Sequence, residues 1–460
     1  MRYFLSISLM LLSCFFRGWS QNQTRVPDSV PEPGIQGLSV STFDIDATPP
    51  VGTRLAYDQM ESSWDLGLRA KGIVLTGMGK PIVICAIDWL GIANGGQDIF
   101  KKSMAKAAGT AVDRVVVHTL HQHDAPLCDF SAEKLLKRRG MKPGSYEGSF
   151  ARDFLKELSF AVKNSIQSAQ PVTHIASGQA PVQEVASNRR IVGVDGKVVA
   201  TRYSSCKDSA LRARPIGVVD SMVSVIGFMN GNKPVAVLSF YAVHPQSYYL
   251  TKKANPDYPG LARFYRQLEV PDALHVHFNG AGGDITAGKY NDGSHELRAV
   301  LAQRLAGGMK RAWESSVSRS VSPDDSGWYT VPVLLEPSDS VKNIAARMKR
   351  EGSRFVTNNA MKLSWLSRTR KGKAIDIACL KLAGARILFM PGELFVEYQL
   401  AAKSMRPDLF VAMAAYGDYG PSYIGTEKSY SEGGYEIGVS PVTKNSEAIL
   451  MSAIKELLHH

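Results

Sequence analysis

Three apolar, β-branched runs in this chain each end at a residue type that binds metals, and this repeated pattern constrains the fold most. Arg114-Val115-Val116-Val117-His118 leads into His121-Gln122-His123-Asp124-Ala125-Pro126. Ala236-Val237-Leu238-Ser239-Phe240 leads into His244-Pro245-Gln246. Ile387-Leu388-Phe389-Met390 leads into Pro391-Gly392-Glu393. Short apolar runs of this kind suit buried strands. In α/β sheets, reactive groups collect beyond the carboxyl ends of strands. Two imidazoles and a carboxylate gathered there make a catalytic zinc site with one position left for water.

The surrounding pattern predicts strands over 69–76, 81–88, 114–118, 222–229, 234–241, 273–278, 374–381, 386–391 and 410–415. It predicts helices over 96–108, 148–168, 258–268, 294–314, 338–350, 394–404 and 444–458. In the helix at 148–168, Phe150, Phe154, Leu155, Leu158, Ala161 and Val162 repeat with a 3.6-residue period. This long mixture of strands and helices predicts an α/β fold of mixed β-sheets flanked by helices. No internal repeat is visible. The stretch 416–440 is rich in Gly and Tyr with little apolar periodicity, and a loop of that length in a compact domain is usually functional.

Residues 1–20 read as a secretory signal peptide, with Arg2 in a short n-region, an apolar stretch over 4–16, and Gly18 and Ser20 before Gln21. That predicts an exported protein, periplasmic or secreted. Residues 21–40, with Pro27, Pro31 and Pro33, read as a linker, and 41–460 as one hydrolase domain. No later segment is long and apolar enough to span a bilayer. Cys85, Cys128, Cys206 and Cys379 are widely spaced and form no paired-cysteine metal motif. One or two disulfides suit an exported chain, but Cys85 and Cys379 sit inside apolar runs and read as buried thiols. The formal charge is +12. Its basic residues are dispersed, without a basic helix carrying interleaved aromatics, so the charge reads first as a solvated basic face; beyond that it suits anionic surfaces or a peripheral lipid contact and not nucleic acid.

Taken singly, each candidate has a plain alternative. His121 and His123 point the same way on an extended segment, yet a surface loop or satisfied core histidines would look alike. A lone His244 after a strand is usually structural. Glu393 at a helix start also suits the helix dipole. The signal lies in three positions sharing one strand-to-turn arrangement. Asn279-Gly280-Ala281-Gly282-Gly283-Asp284 lacks the GxGxxG spacing, and close backbone approach to a site explains its glycines better. GxSxG, Walker and HExxH motifs are absent, which argues against the commonest serine hydrolases, NTPases and zincins.

In order along the chain, these motifs resemble the catalytic domain of the neutral/alkaline, non-lysosomal ceramidases. The resemblance begins at Asp46-Ala47-Thr48-Pro49-Pro50-Val51-Gly52 and Leu68-Arg69-Ala70-Lys71. It continues through the histidine motif (the family reads HTHSGP), Asn188-Arg189-Arg190, Ala242-Val243-His244, the glycine turn at 279–284 and Pro391-Gly392-Glu393. It ends with Tyr423-Ile424-Gly425-Thr426 and Glu432-Gly433-Gly434-Tyr435-Glu436. It implies a neutral-ceramidase-like fold and a Zn2+ ion held by His121, His244, Glu393 and Tyr423. It also implies His123 as general acid/base, Tyr435 as donor to the oxyanion and Arg189 as a substrate contact. The implied activity is amidohydrolase cleavage of an N-acyl amide, ceramide to fatty acid and sphingoid base. The chain departs from the family at Asp124-Ala125, in place of Ser-Gly, and after His244, where Pro-Gln-Ser replaces Gly-Thr-Ser. It stops at His460, so the family's C-terminal immunoglobulin-like domain is expected to be absent. Asp124 raises one alternative, a two-metal hydrolase acting on an ester, phosphoester or sugar amide. The other is a non-catalytic surface binding protein that kept the fold.

Overall fold

Alternation along the central strands decides the architecture. In the computed structural model, which describes residues 37–460 apart from 64, 65 and 349, three sheets repeat one connectivity. The first contains β1 (Ser39–Asp46), β2 (Arg69–Thr76), β3 (Ile82–Ile87) and β4 (Val115–Thr119). β1, β2 and β3 are an antiparallel meander, and β4 joins parallel to β3 after helix α1 (Gly95–Ala108). The second repeats this with β5 (His174–Pro181), β6 (Met222–Asn230), β7 (Lys233–Tyr241), helix α2 (Asp257–Glu269) and β8 (Leu274–Asn279). The third does so with β9 (Ser326–Val333), β10 (Ile375–Leu382), β11 (Ala385–Phe389), helix α3 (Val396–Met405) and β12 (Phe410–Ala414). Three copies of a topology thus stand where the sequence shows no repeat.

Successive side chains on a strand point to opposite faces, and here each face has its own partner. Ile82, Ile84 and Ala86 of β3 point into a central core with Ile226 and Leu238 of the second sheet and Leu380 and Ile387 of the third. Val83, Cys85 and Ile87 point outward onto Phe100 of α1 and Phe154 and Leu158 of the helix Ser149–Ser165. The outer faces of the other two sheets are covered in the same way. Strands buried on both faces read as continuous hydrophobic runs, which is why these strands were legible. Each such side chain contributes about 1.5–3 kcal/mol relative to exposure.

The three parallel strands meet at their carboxyl ends. Ala415 N–H donates to Asn279 O at 2.9 Å, and Thr119 N–H donates to Tyr416 O at 3.0 Å. Asn279 Nδ2 closes the group on Leu120 O at 2.6 Å. The turns beyond all three strands are therefore brought together.

The predicted mixed α/β fold is the observed one, and each expected strand and helix is present within a few residues. The expected signal peptide and residues 21–36 of the expected linker lie outside the described residues. The linker's last two residues differ from expectation: Ser39 and Val40 belong to β1, with Val40 fully buried. The stretch 416–440 is not one loop. It holds a short strand at Tyr423–Ile424 and helices at Glu427–Glu432 and Tyr435–Val439. Cys85, Cys128, Cys206 and Cys379 are all free and buried. Among the described residues, no helix is long and apolar enough to cross a membrane.

Candidate metal centre

His121 lies two residues beyond β4, His244 three beyond β7 and Glu393 four beyond β11. Convergence of the strand ends buries all three at 2% exposure or less. Glu393 Oε2 stands 3.3 Å from His121 Nε2 and 3.7 Å from His244 Nε2. Among the described residues, His121, His123 and His244 form the group of three that could hold a metal ion, with ligand atoms within 4.8 Å of one another. Two overlapping triads therefore share His121 and His244, one completed by His123 and one by Glu393.

The backbone aims these side chains. His121 adopts φ 61°, a left-handed conformation that non-glycine residues rarely take. An extended segment therefore does not account for the histidine pair. The two rings nonetheless meet, with centroids 4.8 Å apart, because the chain turns at His121. Gly392, at φ 59°, lets the next residue enter the site, since a Cβ there would lie 2.6 Å from Ser422 O. A Cβ on Gly283 would lie 2.3 Å from Glu393 O, so the glycines of the 279–284 turn permit close backbone approach, as expected from the sequence. Parallel pairing of Glu393 with Tyr423 places that tyrosine beside the carboxylate.

Each histidine directs Nδ1 at a carbonyl oxygen: His121 at Leu90 O (2.9 Å), His244 at Gly282 O (3.2 Å) and His123 at His121 O (3.1 Å). Such a bond selects the tautomer that leaves Nε2 free as a ligand or base. Burial lowers the pKa of all three imidazoles, and those of His123 and His244 fall well below the ordinary histidine value. They are therefore neutral near pH 7. Glu393 Oε1 accepts a hydrogen bond from Tyr419 Oη at 2.8 Å, while Oε2 is buried with no hydrogen-bond partner. A buried carboxylate oxygen between two neutral imidazoles is costly unless a cation joins it. The nitrogen and oxygen donors present thus fit a divalent metal ion.

The remaining expected residues lie on one side of this cluster. The Tyr423 ring is 6.5 Å from His244 and 5.9 Å from Tyr435. Tyr423 is buried, which pushes its phenol well above the usual range, while a hydrogen bond from Arg189 opposes this. Tyr435 is 44% exposed. Arg189 Nε donates to Glu436 Oε1 at 2.5 Å and Nη2 to Gly283 O at 2.7 Å. Its guanidinium also lies over the rings of Tyr423 and Tyr435, at 5.1 and 5.7 Å. Asp124 is the exception. Its carboxylate is turned into the segment 250–255 and bonded there, so the sequence expectation of an extra carboxylate free for a metal does not hold.

Sequence reasoning missed four aromatic neighbours. Tyr419 holds Glu393, and Tyr416 stacks on His121 at 4.9 Å. Both lie in the tyrosine-rich stretch already marked as functional, which was the available signal. Tyr57 and Tyr249 pack on His123 at 5.6 and 5.5 Å, and nothing in their local sequence marks them.

The class these features define is a mixed α/β protein with a buried imidazole–carboxylate centre at converging strand ends. No family model and no curated protein matches the chain. Among solved structures it is similar to the neutral ceramidase from Pseudomonas aeruginosa, with a TM-score of 0.63 and 14% identity over 92% of this chain and 74% of that one. It is also similar to a ceramidase complexed with C2, with a TM-score of 0.65 and 14% identity over 92% of this chain and 75% of that one. The fold is therefore neutral-ceramidase-like.

Proposed function

We propose that this protein is an exported, zinc-dependent amidohydrolase that cleaves an N-acyl amide, with ceramide-like lipids as the substrate class. One observation carries the reading: Glu393 Oε2 is buried and unpartnered between His121 and His244, with His123 alongside. Asp58 Oδ1 and Glu397 Oε2 are also buried without a partner, but only the Glu393 oxygen faces the free ring nitrogens of two imidazoles.

His121, His244, Glu393 and Tyr423 are the proposed zinc ligands. Bound there, zinc supplies a Lewis acid and makes water a nucleophile near neutral pH. His123 is the general acid/base. Its Nδ1 is occupied by His121 O, so Nε2 takes the proton from water and later returns it to the leaving amine. Burial keeps this imidazole neutral. Tyr435 donates its hydroxyl to the developing oxyanion. Arg189 holds Tyr423 and faces the substrate beside Tyr435. The products are a carboxylate and an amine, fatty acid and sphingoid base for a ceramide. The charge of +12 and the exposed Tyr57, Tyr249, Leu250 and Tyr435 support peripheral contact with a lipid surface. Engagement of both Asp124 oxygens favours one metal over two.

The test is metal content of the purified chain, paired with hydrolysis of a short-chain fluorescent ceramide with and without chelator. About one zinc per chain with chelator-sensitive amide cleavage is the expected result. Cleavage that survives complete metal removal would sink the reading.

A further inference from the structure

Asp124 follows the histidine pair directly and is 3% exposed, yet it points away from the metal cluster. Its Oδ1 accepts the backbone N–H groups of Leu250 (2.9 Å) and Thr251 (3.4 Å). Its Oδ2 accepts Thr251 Oγ1 (2.6 Å) and Asn255 Nδ2 (3.1 Å). Four donors from one strap, residues 247–256, thus converge on one carboxylate. The strap needs such a hold. Leu250 at φ 65° and Lys252 at φ 58° are both left-handed without being glycine, at about 1–2 kcal/mol each. Leu250 is 55% exposed and Tyr249 39%, so burial does little to hold the tip.

What the strap carries is Tyr249. Its ring stands edge-on to His123 at 5.5 Å and to Tyr57 at 5.2 Å. Tyr57 in turn lies flat on His123, at 5.6 Å and 9° between planes. His123 is therefore boxed by two tyrosines and by the His121 carbonyl. Tyr57 and Tyr249 also touch each other, so a shift of Tyr249 frees both walls.

We propose that Asp124 is a positioning residue: through the strap 247–256 and Tyr249 it holds the His123 imidazole in the orientation that proton transfer needs. This rests on His123 being the general acid/base. A misplacement of about 1 Å can cost on the order of a hundredfold in rate, so hydrogen bonds remote from the reacting atoms suffice.

The experiment compares Asp124→Ala, Thr251→Val and Tyr249→Ala in the full chain. Asp124→Ala is expected to lower kcat roughly ten- to a hundredfold, with KM and metal content unchanged. Thr251→Val, which removes one of the four donors and leaves Asp124 in place, should lower kcat by less and remains informative if Asp124→Ala does not fold. In the double variant Asp124→Ala/Tyr249→Ala, the two losses should not multiply, because they act through one strap. Two readouts are independent of turnover. Trypsin should cut after Lys252 or Lys253 faster in Asp124→Ala, and diethyl pyrocarbonate should label His123 faster. A strap that opens to trypsin while kcat and His123 labelling stay at wild-type values overturns the proposal. Fully multiplicative losses overturn it too. Should the wild type cleave no amide, the proposed function fails, and trypsin and labelling rates still decide whether Asp124 holds the strap against His123.

Discussion

Two buried glutamates about 40 residues apart in the chain face opposite circumstances. Glu436, at 0% exposure, is gripped by Arg189 Nε at 2.5 Å and Arg190 Nη1 at 2.9 Å. Glu393, at 1% exposure, has one oxygen on Tyr419 and the other unpartnered beside two neutral imidazoles. The difference teaches how to separate a structural charge from one that awaits a ligand. Burying a carboxylate costs several kcal/mol, and the fold tolerates it where charge-assisted hydrogen bonds satisfy the group. Where they do not, as at Glu393, the donors around the carboxylate fit a divalent cation.

The sharpest way to break this contrast is to remove each charge in turn. Glu393→Gln should abolish metal binding and amide cleavage, yet leave the metal-free protein as stable as before or more so, because an uncompensated charge is gone. Glu436→Gln should do the reverse. It takes the carboxylate partner from buried Arg189, while Arg190 keeps Glu432 at 3.1 Å, and is expected to cost about 3–5 kcal/mol in a denaturant titration, with metal retained in the folded fraction. If both variants lose stability equally, the distinction drawn between the two carboxylates is wrong.

Next in size is Tyr435→Phe, which should keep the metal and lose on the order of a hundredfold in turnover. Full activity in that variant would remove Tyr435 from the mechanism.

A third check asks whether uncompensated burial matters away from the centre. Burial lowers His118 and His275 to about 4 and His277 to about 3. The folded state refuses protons that the unfolded chain takes up near pH 6.5, so stability is fully present above that value. It falls as pH drops from about 6.5 toward 4, by about 2 kcal/mol per histidine at pH 5. His277→Gln should flatten the pH dependence of the urea midpoint over this range, and an unchanged slope would count against the assignment. The smallest effect is expected for Tyr419→Phe, which removes its hydrogen bond to the Glu393 carboxylate. Metal affinity should weaken about tenfold, measured by competition with a chelating dye.

Much of the fold was legible because its strands are buried on both faces. The runs at 82–87 and 387–390 are apolar throughout, and no competing helix period disturbs them. Elements of mixed composition were missed. β5 reads His-Ile-Ala-Ser-Gly-Gln-Ala-Pro, and its pairing to β6 supplies what its own residues lack. The helix Phe130–Lys137 was missed as well, although Asp129 caps it through Ser131 and Ala132 N–H. The threefold recurrence of topology left no trace in the residues, because a meander followed by a helical crossover obeys rules of handedness and packing that many sequences satisfy. In the centre, His121, His244 and Glu393 were legible as strand-end residues. Tyr423, Tyr435 and Arg189 were reached only through resemblance. Glu436 and Tyr419 fell inside marked stretches without a role, and Tyr57 and Tyr249 were not reached at all, since each acts on a residue tens or hundreds of positions away.

By itself, the sequence determined the local order: where β-branched runs make strands, where a 3.6-residue period makes helices, and which turns carry metal-type side chains. Those properties depend on neighbours within a few residues. Only the tertiary structure decided that residues 121, 244 and 393 meet, that the Asp124 carboxylate is bonded to the segment 250–255, and that one buried glutamate is satisfied while another is not. Whether a charge is compensated depends on groups brought together by three converging sheets, and no local pattern records which groups those will be.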